Sequence, residues 1–399
     1  MNNLKIDTKE ILKNLVKIDA GFDRLVSKED YNFIESFLLN NNFKKIDYIY
    51  DKEENKPSLL AFQINDQNRE SEIDLMFLSH IDVVHPGDLN KWKNKNPFDL
   101  FEENNILYGR GACDMKGSIA AFLNALQKLN NQNIKYNIGI AVISDEEKKS
   151  YGAIAVKNFI KTNNINIFHI LIGEPTSDEK LGDICKIGRR GSANFDLKIS
   201  INDAFGPGHV AYPESFKDPI SDILPNIILN LTNYDFNDKN DLFDKTNLVI
   251  TEVKTNKQYT RNVSASDIDV YFNIRYNNNQ NIESLRKILY NILNSSINKD
   301  VYNYNLEVFS NFSSFLSKKT NFIEILCDSI KSITSVDPEI NTKGGTSDGR
   351  FFHDISNLIE FGPSNKSAHK INENINLDDL NNLSEIYYKT MINFNNLFE

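Results

Sequence analysis

Leu75-Met76-Phe77-Leu78-Ser79-His80-Ile81-Asp82 is a short apolar run that ends in a histidine and an acid. Its length suits a strand buried on both faces, and the polar residues that follow would then stand at the rim of a sheet. Two other runs repeat the design: Ile138–Ile143 precedes Glu146-Glu147, and Ile167–Ile172 precedes Gly173-Glu174-Pro175-Thr176. One such triplet or acidic pair is ordinary polar surface. Three in order are not, because open α/β sheets place their chemistry beyond the ends of buried strands.

Two further blocks complete the set. Asp114 lies in Gly109-Arg110-Gly111-Ala112-Cys113-Asp114-Met115-Lys116-Gly117, a glycine-rich turn that lets backbone come close to a ligand, and His369 follows much later. His80, Asp114, the pair Glu146-Glu147, Glu174 and His369 supply imidazoles and carboxylates of the kind that hold two zinc ions around one bridging carboxylate. Glu146 and Glu147 are adjacent, so one can bind metal while the other handles protons. Asp82, two residues past His80, can fix the imidazole tautomer from behind. His209 stands in a block of its own, whereas His85, His169 and His353 read as structural or exposed.

Outward from these blocks, the first part alternates helix and strand. Helices are expected near Lys9–Val16, Asp30–Asn40, Gly117–Leu129 and Gly152–Lys161, with strands near Leu59–Ile64, Asp74–Leu78, Ile138–Ile143 and up to Glu174. That alternation predicts a mixed α/β sheet. After Arg190 the order becomes strand (Ala193–Ile201), helix (Pro219–Leu231), strand (Leu248–Thr255), strand (Asp267–Tyr276), helix (Ile282–Asn294) and strand (Tyr304–Phe309). This is a βαββαβ unit of ferredoxin-like type, read as an insertion over residues 190–309 within a discontinuous catalytic domain of residues 1–189 and 310–399. The α/β style resumes with a helix at Phe322–Ile333 and a strand at Leu358–Phe361. Asn277–Gln280 and Asn393–Asn396 read as loop tips or compositional drift.

Bulk properties agree with two domains, since 399 residues exceed the size at which one core keeps growing. A net charge of -10 without a basic block argues against nucleic-acid and anionic-membrane partners. Residues 1–10 contain no signal-like apolar segment, and no run nears the roughly 18 uncharged residues that span a bilayer, so a cytoplasmic protein is expected. Three scattered cysteines read as packing residues in a reducing compartment. Of nine arginines, Arg110, Arg189, Arg190, Arg275 and Arg350 fall in the motif blocks, where a guanidinium fork suits carboxylate recognition.

His80-Ile81-Asp82-Val83-Val84, Tyr108-Gly109-Arg110-Gly111 with Asp114-Met115-Lys116-Gly117, and Asp145-Glu146-Glu147 make the chain resemble the co-catalytic zinc deacylases. That family includes aminoacylases, acetylornithine deacetylases, glutamate-type carboxypeptidases and desuccinylases. The finer match is to the desuccinylase branch. It rests on Leu181-Gly182-Asp183 with Lys186-Ile187-Gly188-Arg189-Arg190-Gly191-Ser192, on Gly208-His209-Val210-Ala211-Tyr212-Pro213, on Gly344-Gly345-Thr346-Ser347-Asp348-Gly349-Arg350-Phe351, and on Phe361-Gly362-Pro363 with His369-Lys370-Ile371-Asn372-Glu373. The chain departs from the family at Ser79, His85 and Lys217-Asp218-Pro219, and none of these removes a ligand.

The resemblance implies two zinc ions per subunit, with cobalt able to substitute. One is held by His80 and Glu174, the other by Glu147 and His369, with Asp114 bridging. It implies Glu146 as general base on a metal-held water, Asp82 beside His80 among the catalytic residues, and a cis Asp114–Met115 peptide. It further implies a homodimer in which His209 of the lid/dimerisation insert serves the partner's site, and substrate contacts at Arg190, Tyr212, Asn262, Arg275, Thr346 and Asn365. The expected substrate is a small succinylated diamino diacid; the alternatives are another N-acyl-amino-acid deacylase and a non-catalytic binding relative.

Overall fold

The computed structural model describes residues 5–21, 23–130, 132–202, 207–255, 261–345 and 347–398. The chain divides into two compact units, one comprising Met1–Gly188, Ser317–Asn341 and Ser347–Glu399, the other Arg189–Leu316 and Thr342–Thr346.

The first unit is built on an eight-stranded mixed sheet in the order Lys45–Tyr50, Pro57–Gln63, Ile138–Ile143, Glu72–His80, Asn166–Ile172, Asn357–Glu360, Ile184–Lys186, Glu339–Asn341. Glu72–His80 pairs in parallel with Ile138–Ile143 on one side and Asn166–Ile172 on the other, and Asn357–Glu360 extends the parallel set. Ile138–Ile143 is buried throughout, and Glu72–His80 throughout except at its first residue, which is why neither alternates polar with apolar. Because these strands run the same way, His80, Glu146 and Glu174 emerge at the same rim of the sheet.

Helices cover this sheet. Lys116–Leu129 is almost wholly buried and packs against Thr8–Val16 and the C-terminal helix Leu377–Asn395. Phe77 of the central strand stacks on Phe122 with ring centroids 4.1 Å apart, and Tyr387 of the C-terminal helix meets both rings edge-on. The Tyr387 hydroxyl donates to the Phe361 carbonyl at 2.7 Å, so the aromatic core also anchors the strand end that leads toward His369.

That C-terminal helix departs from the sequence reading of Asn393–Asn396 as loop or drift. Leu380, Leu383, Tyr387, Met391 and Phe394 form its buried stripe. Asn395 accepts from the Lys135 amide at 2.8 Å and donates to the Asn133 carbonyl, so its amide closes the end of a neighbouring loop.

The second unit is an antiparallel four-stranded sheet, Asn247–Thr255, Asp267–Tyr276, Gly191–Ile201, Tyr302–Phe312, the ferredoxin-like order for a βαββαβ chain. Asp267–Tyr276 alternates half-buried with buried residues along its whole length, as a sheet covered on one face requires. Its second core comprises Phe195, Leu197, Val270, Phe272, Leu285, Leu289 and their neighbours. One expectation changes here and another is refined. The helix read as Pro219–Leu231 is broken into Pro219–Asp222 and Leu224–Thr232, because Pro225 cannot donate into a continuous ladder. The run Asn277–Gln280 is a turn, as read, with Asn278 and Asn279 exposed, but Asn277 itself is fully buried and donates to the Asp238 carbonyl at 2.6 Å, tying down the chain beside it.

No helix among the described residues is long and apolar enough to cross a membrane.

Candidate metal centre

His80 closes its strand with its side chain 2% exposed. Its Nδ1 lies 3.0 Å from the Asp82 carbonyl oxygen, and an N–H there leaves the Nε2 lone pair aimed into the site. Nε2 lies 3.2 Å from Asp114 Oδ1 and 4.0 Å from Glu174 Oε1. On the far side of the same carboxylate, Asp114 Oδ2 lies 3.0 Å from His369 Nε2, which is also 3.1 Å from Glu147 Oε1. The two oxygens of Asp114 therefore face two different donor groups, His80 with Glu174 and His369 with Glu147. An overlapping group of His80, Glu146 and Glu147 stands beside them.

Local backbone geometry explains the convergence. Gly111 has a φ of +82°, and a Cβ there would meet Lys116 Cδ at 2.8 Å, so the turn before Asp114 requires glycine. The Asp114–Met115 peptide is cis, in line with the resemblance. Gly362 lets its loop lie against the strand end that bears Glu174, since an added Cβ would sit 2.4 Å from the Glu174 carbonyl oxygen. His369 itself has a φ of +62°, a left-handed conformation that costs a non-glycine residue of order 1–2 kcal/mol and that its surroundings must hold.

Asp82 plays a part the sequence does not reveal. Its carboxylate accepts from the Glu146 and Glu147 amides at 3.2 and 3.1 Å, while its Oδ1 is 3.6 Å from His80 Nδ1. The nearest acceptor for the imidazole is thus the Asp82 main chain, and the side chain fixes the turn carrying both glutamates. Burial, joined by the Glu147 charge, pushes Asp82 up to about 6. The preceding Asp145 forms a buried ion pair with Lys56, which also reaches Glu54 at 2.7 Å.

The electrostatics are those of a cation site. Burial works against charge on Asp114, yet hydrogen bonds from His369 and His80 outweigh it and hold the carboxyl below its usual range. His369 is raised to about 10 by its hydrogen bonds to Asp114 and Glu147. For His80, burial is overcome by the Asp114 hydrogen bond and the Asp82, Glu146 and Glu174 charges, and its pKa rises well above the ordinary value. Burial and the carboxylates of Glu174 and Asp348 drive Glu146 well upward. So many buried carboxylates repel one another unless cations lie among them, and an all-nitrogen-and-oxygen donor set fits zinc or cobalt.

The remaining candidates divide by unit. Asn365 is in the first, its amide donating to Asp178 Oδ1 at 2.9 Å. In the second, His209, Tyr212 and Asn262 share one exposed loop region: the rings of His209 and Tyr212 are 6.0 Å apart, and Asn262 Nδ2 is 2.9 Å from His209 Nε2. Arg190 and Arg275 lie at one end of the sheet. Arg190 donates to Asn247, which pairs in register with Arg275, and burial together with the Arg190 charge lowers Arg275 from its ordinary value. Thr346 lies outside the described residues. His85 accepts from the Gly87 amide, His169 packs against Phe322 and Phe394, and His353 follows a short helix; none joins a donor group. Cys113 is buried and donates to the Ser364 carbonyl.

Sequence reasoning assigns no role to Glu373 and reads Arg110 as a binder of carboxylate. The structure pairs them: Arg110 Nη1 donates to Glu373 Oε2 at 2.5 Å with both side chains 1% exposed, so the carboxylate that Arg110 recognises is internal. Their signal was a charged residue of each sign inside two separate motif blocks.

This arrangement is matched by known proteins. The pattern of peptidase family M20/M25/M40 matches residues 76–393. A curated protein from Rickettsia bellii (strain RML369-C), named succinyl-diaminopimelate desuccinylase, is 35% identical over 386 residues, covering 96% of this chain and 95% of the relative. An M20 metallo-carboxypeptidase from Sulfolobus solfataricus shares the fold with a TM-score of 0.73 at 17% identity, covering 97% of this chain and 98% of that one. A dinuclear metal-binding M20 peptidase from Bacillus subtilis has a TM-score of 0.68 at 14% identity, with 97% of each chain covered. By the long family match and a relative similar along nearly its whole length, the chain belongs to peptidase family M20/M25/M40.

Proposed function

We propose that the protein is a two-zinc amidohydrolase that converts N-succinyl-LL-2,6-diaminopimelate to succinate and LL-2,6-diaminopimelate, a cytoplasmic step of diaminopimelate and lysine biosynthesis. The reaction class rests on the family, which is one of metal-dependent hydrolases, and the substrate on the relative at 35% identity. The observation that carries the reading is the Asp114 carboxylate, whose two oxygens face His80 and His369 at 3.2 and 3.0 Å.

His80 and Glu174 would hold one metal, Glu147 and His369 the other, with Asp114 between. Bound there, the pair supplies Lewis acidity at the amide carbonyl and makes a water acidic enough to attack at neutral pH. Glu146 accepts the proton of that water as the C–O bond forms, then delivers it to the departing amine as the C–N bond breaks. Asp82 keeps Glu146 and Glu147 aimed by holding their amides. Arg190 and Arg275 bring two guanidiniums to bear on a substrate carboxylate, with Tyr212, Asn262, Thr346 and Asn365 completing recognition.

Residues 190–309 act as a lid and dimerisation domain, and His209 serves the active site of the partner in a homodimer by stabilising the tetrahedral oxyanion. Under this reading Glu146→Gln and His209→Ala homodimers are each nearly inactive. Random subunit exchange at equal amounts makes half the dimers mixed, each with one intact site of two, so activity returns to about a quarter of wild type. Exchanged samples as inactive as their parents would place His209 outside the partner's site.

Substrate identity is tested by assaying the zinc-loaded protein on succinyl-diaminopimelate, acetylornithine and a glutamyl peptide together. The expected kcat/KM favours the succinyl substrate by about 10²-fold or more. Faster hydrolysis of acetylornithine would assign the chain to the related deacylases.

A further inference from the structure

Glu373 is 1% exposed and both of its carboxylate oxygens are occupied. Oε1 accepts from the amides of Cys113 and Asp114 at 2.9 and 2.8 Å; Oε2 accepts from the Gly111 amide at 3.0 Å and from Arg110 Nη1 at 2.5 Å. Three amides of one tight turn thus point at a single internal anion, an arrangement that elsewhere cradles phosphates. The Glu373 carbonyl also accepts from the Gly109 amide at 3.0 Å. Glu373 follows His369 by four residues, so one short segment both presents the imidazole and clamps the turn that ends in Asp114.

A buried ion pair is by itself weak evidence for stability, because well-packed apolar residues of similar volume often serve as well. What they cannot do is accept from three amides at once. We infer that Glu373 is a positioning residue of the metal centre: its carboxylate sets the backbone of residues 111–114 so that the two oxygens of Asp114 face both donor groups, and thereby couples Asp114 to His369. This rests on the two-metal reading above. Glu373→Gln offers one acceptor where the turn needs four bonds accepted, and it turns an amide donor toward other donors. Glu373→Asp keeps the charge but is one methylene short.

The test is a cobalt titration of the full-length protein against a chromophoric chelator, with the visible spectrum of the cobalt-loaded protein recorded alongside. Cobalt affinity is expected to fall about 10- to 100-fold in Glu373→Gln, the usual cost of losing a partner that orients metal ligands. Glu373→Asp falls between, and the ligand-field bands of both variants shift. Arg110→Met/Glu373→Gln, which leaves no unpaired buried charge, shows the same loss and serves where the single variant does not fold. Asn137→Ala supplies a control for destabilisation alone, since Asn137 is fully buried, accepts from the Asn65 and Asp66 amides and donates to Arg69 and Glu72, away from the donor groups; it should keep wild-type cobalt affinity. Wild-type affinity and spectrum in the folded Glu373 variants, or an equal loss in Asn137→Ala, would overturn the inference. A wild-type protein that takes up no cobalt pair would instead overturn the two-metal reading.

Discussion

Glu146→Gln is expected to lower turnover by about 10²–10⁴-fold while the protein keeps two metals per chain. The substitution preserves size and removes a proton acceptor that faces Glu174 and Asp348, both of which already disfavour its charge. No buried partner is orphaned, so thermal stability should hold. Glu147→Gln differs because Glu147 Oε1 stands 3.1 Å from His369 in the second donor group. It should release one metal. Metal analysis with single-turnover kinetics separates the two variants, and equal metal loss in both would refute the division of roles.

Asp114→Ala should have the largest effect on metal content. The change removes the carboxylate whose two oxygens lie 3.2 Å from His80 and 3.0 Å from His369, taking one donor from the group of His80 with Glu174 and one from the group of His369 with Glu147. Neither pair alone makes a closed site. Wild-type protein at metal concentrations near 100 times Kd gains about 2.7 kcal/mol of stability from binding. Asp114→Ala should lose most of that gain, along with activity. A differential-scanning comparison with and without added zinc reads it directly, and an undiminished zinc-induced rise in Tm would show that Asp114 does not bridge.

Much of this centre is legible in the sequence because each block couples a local signal to a position in the sheet. The runs Leu75–Leu78, Ile138–Ile143 and Ile167–Ile172 mark strands buried on both faces, and a polar residue just past a parallel strand has few places to go except the rim. What escapes is long-range pairing. Glu373 and Arg110 are separated by 263 residues, and no periodicity tells which internal partner a buried arginine will take. Asp82 escapes in part for the same reason: proximity to His80 in sequence points at the imidazole, whereas its carboxylate caps the Glu146–Glu147 turn formed by a neighbouring strand.

The fold shows the same limit. Leu380, Leu383, Tyr387, Met391 and Phe394 carry helical spacing, but the asparagines among them have modest helix propensity and mask it. Tertiary packing decides the matter, since Phe394 meets Tyr136 and Phe322 edge-on. The broken helix near Pro225 is the converse case, where a local rule written in the sequence prevails over a continuous apolar pattern.

The central claim is that one carboxylate, Asp114, joins two metal sites. Crystals of the zinc-loaded protein measured on either side of the zinc absorption edge test it most directly. The account predicts two anomalous peaks about 3.5–4 Å apart, one beside His80 and Glu174, the other beside Glu147 and His369, with an Asp114 oxygen at each. A single peak, or a pair that Asp114 does not touch, would contradict it.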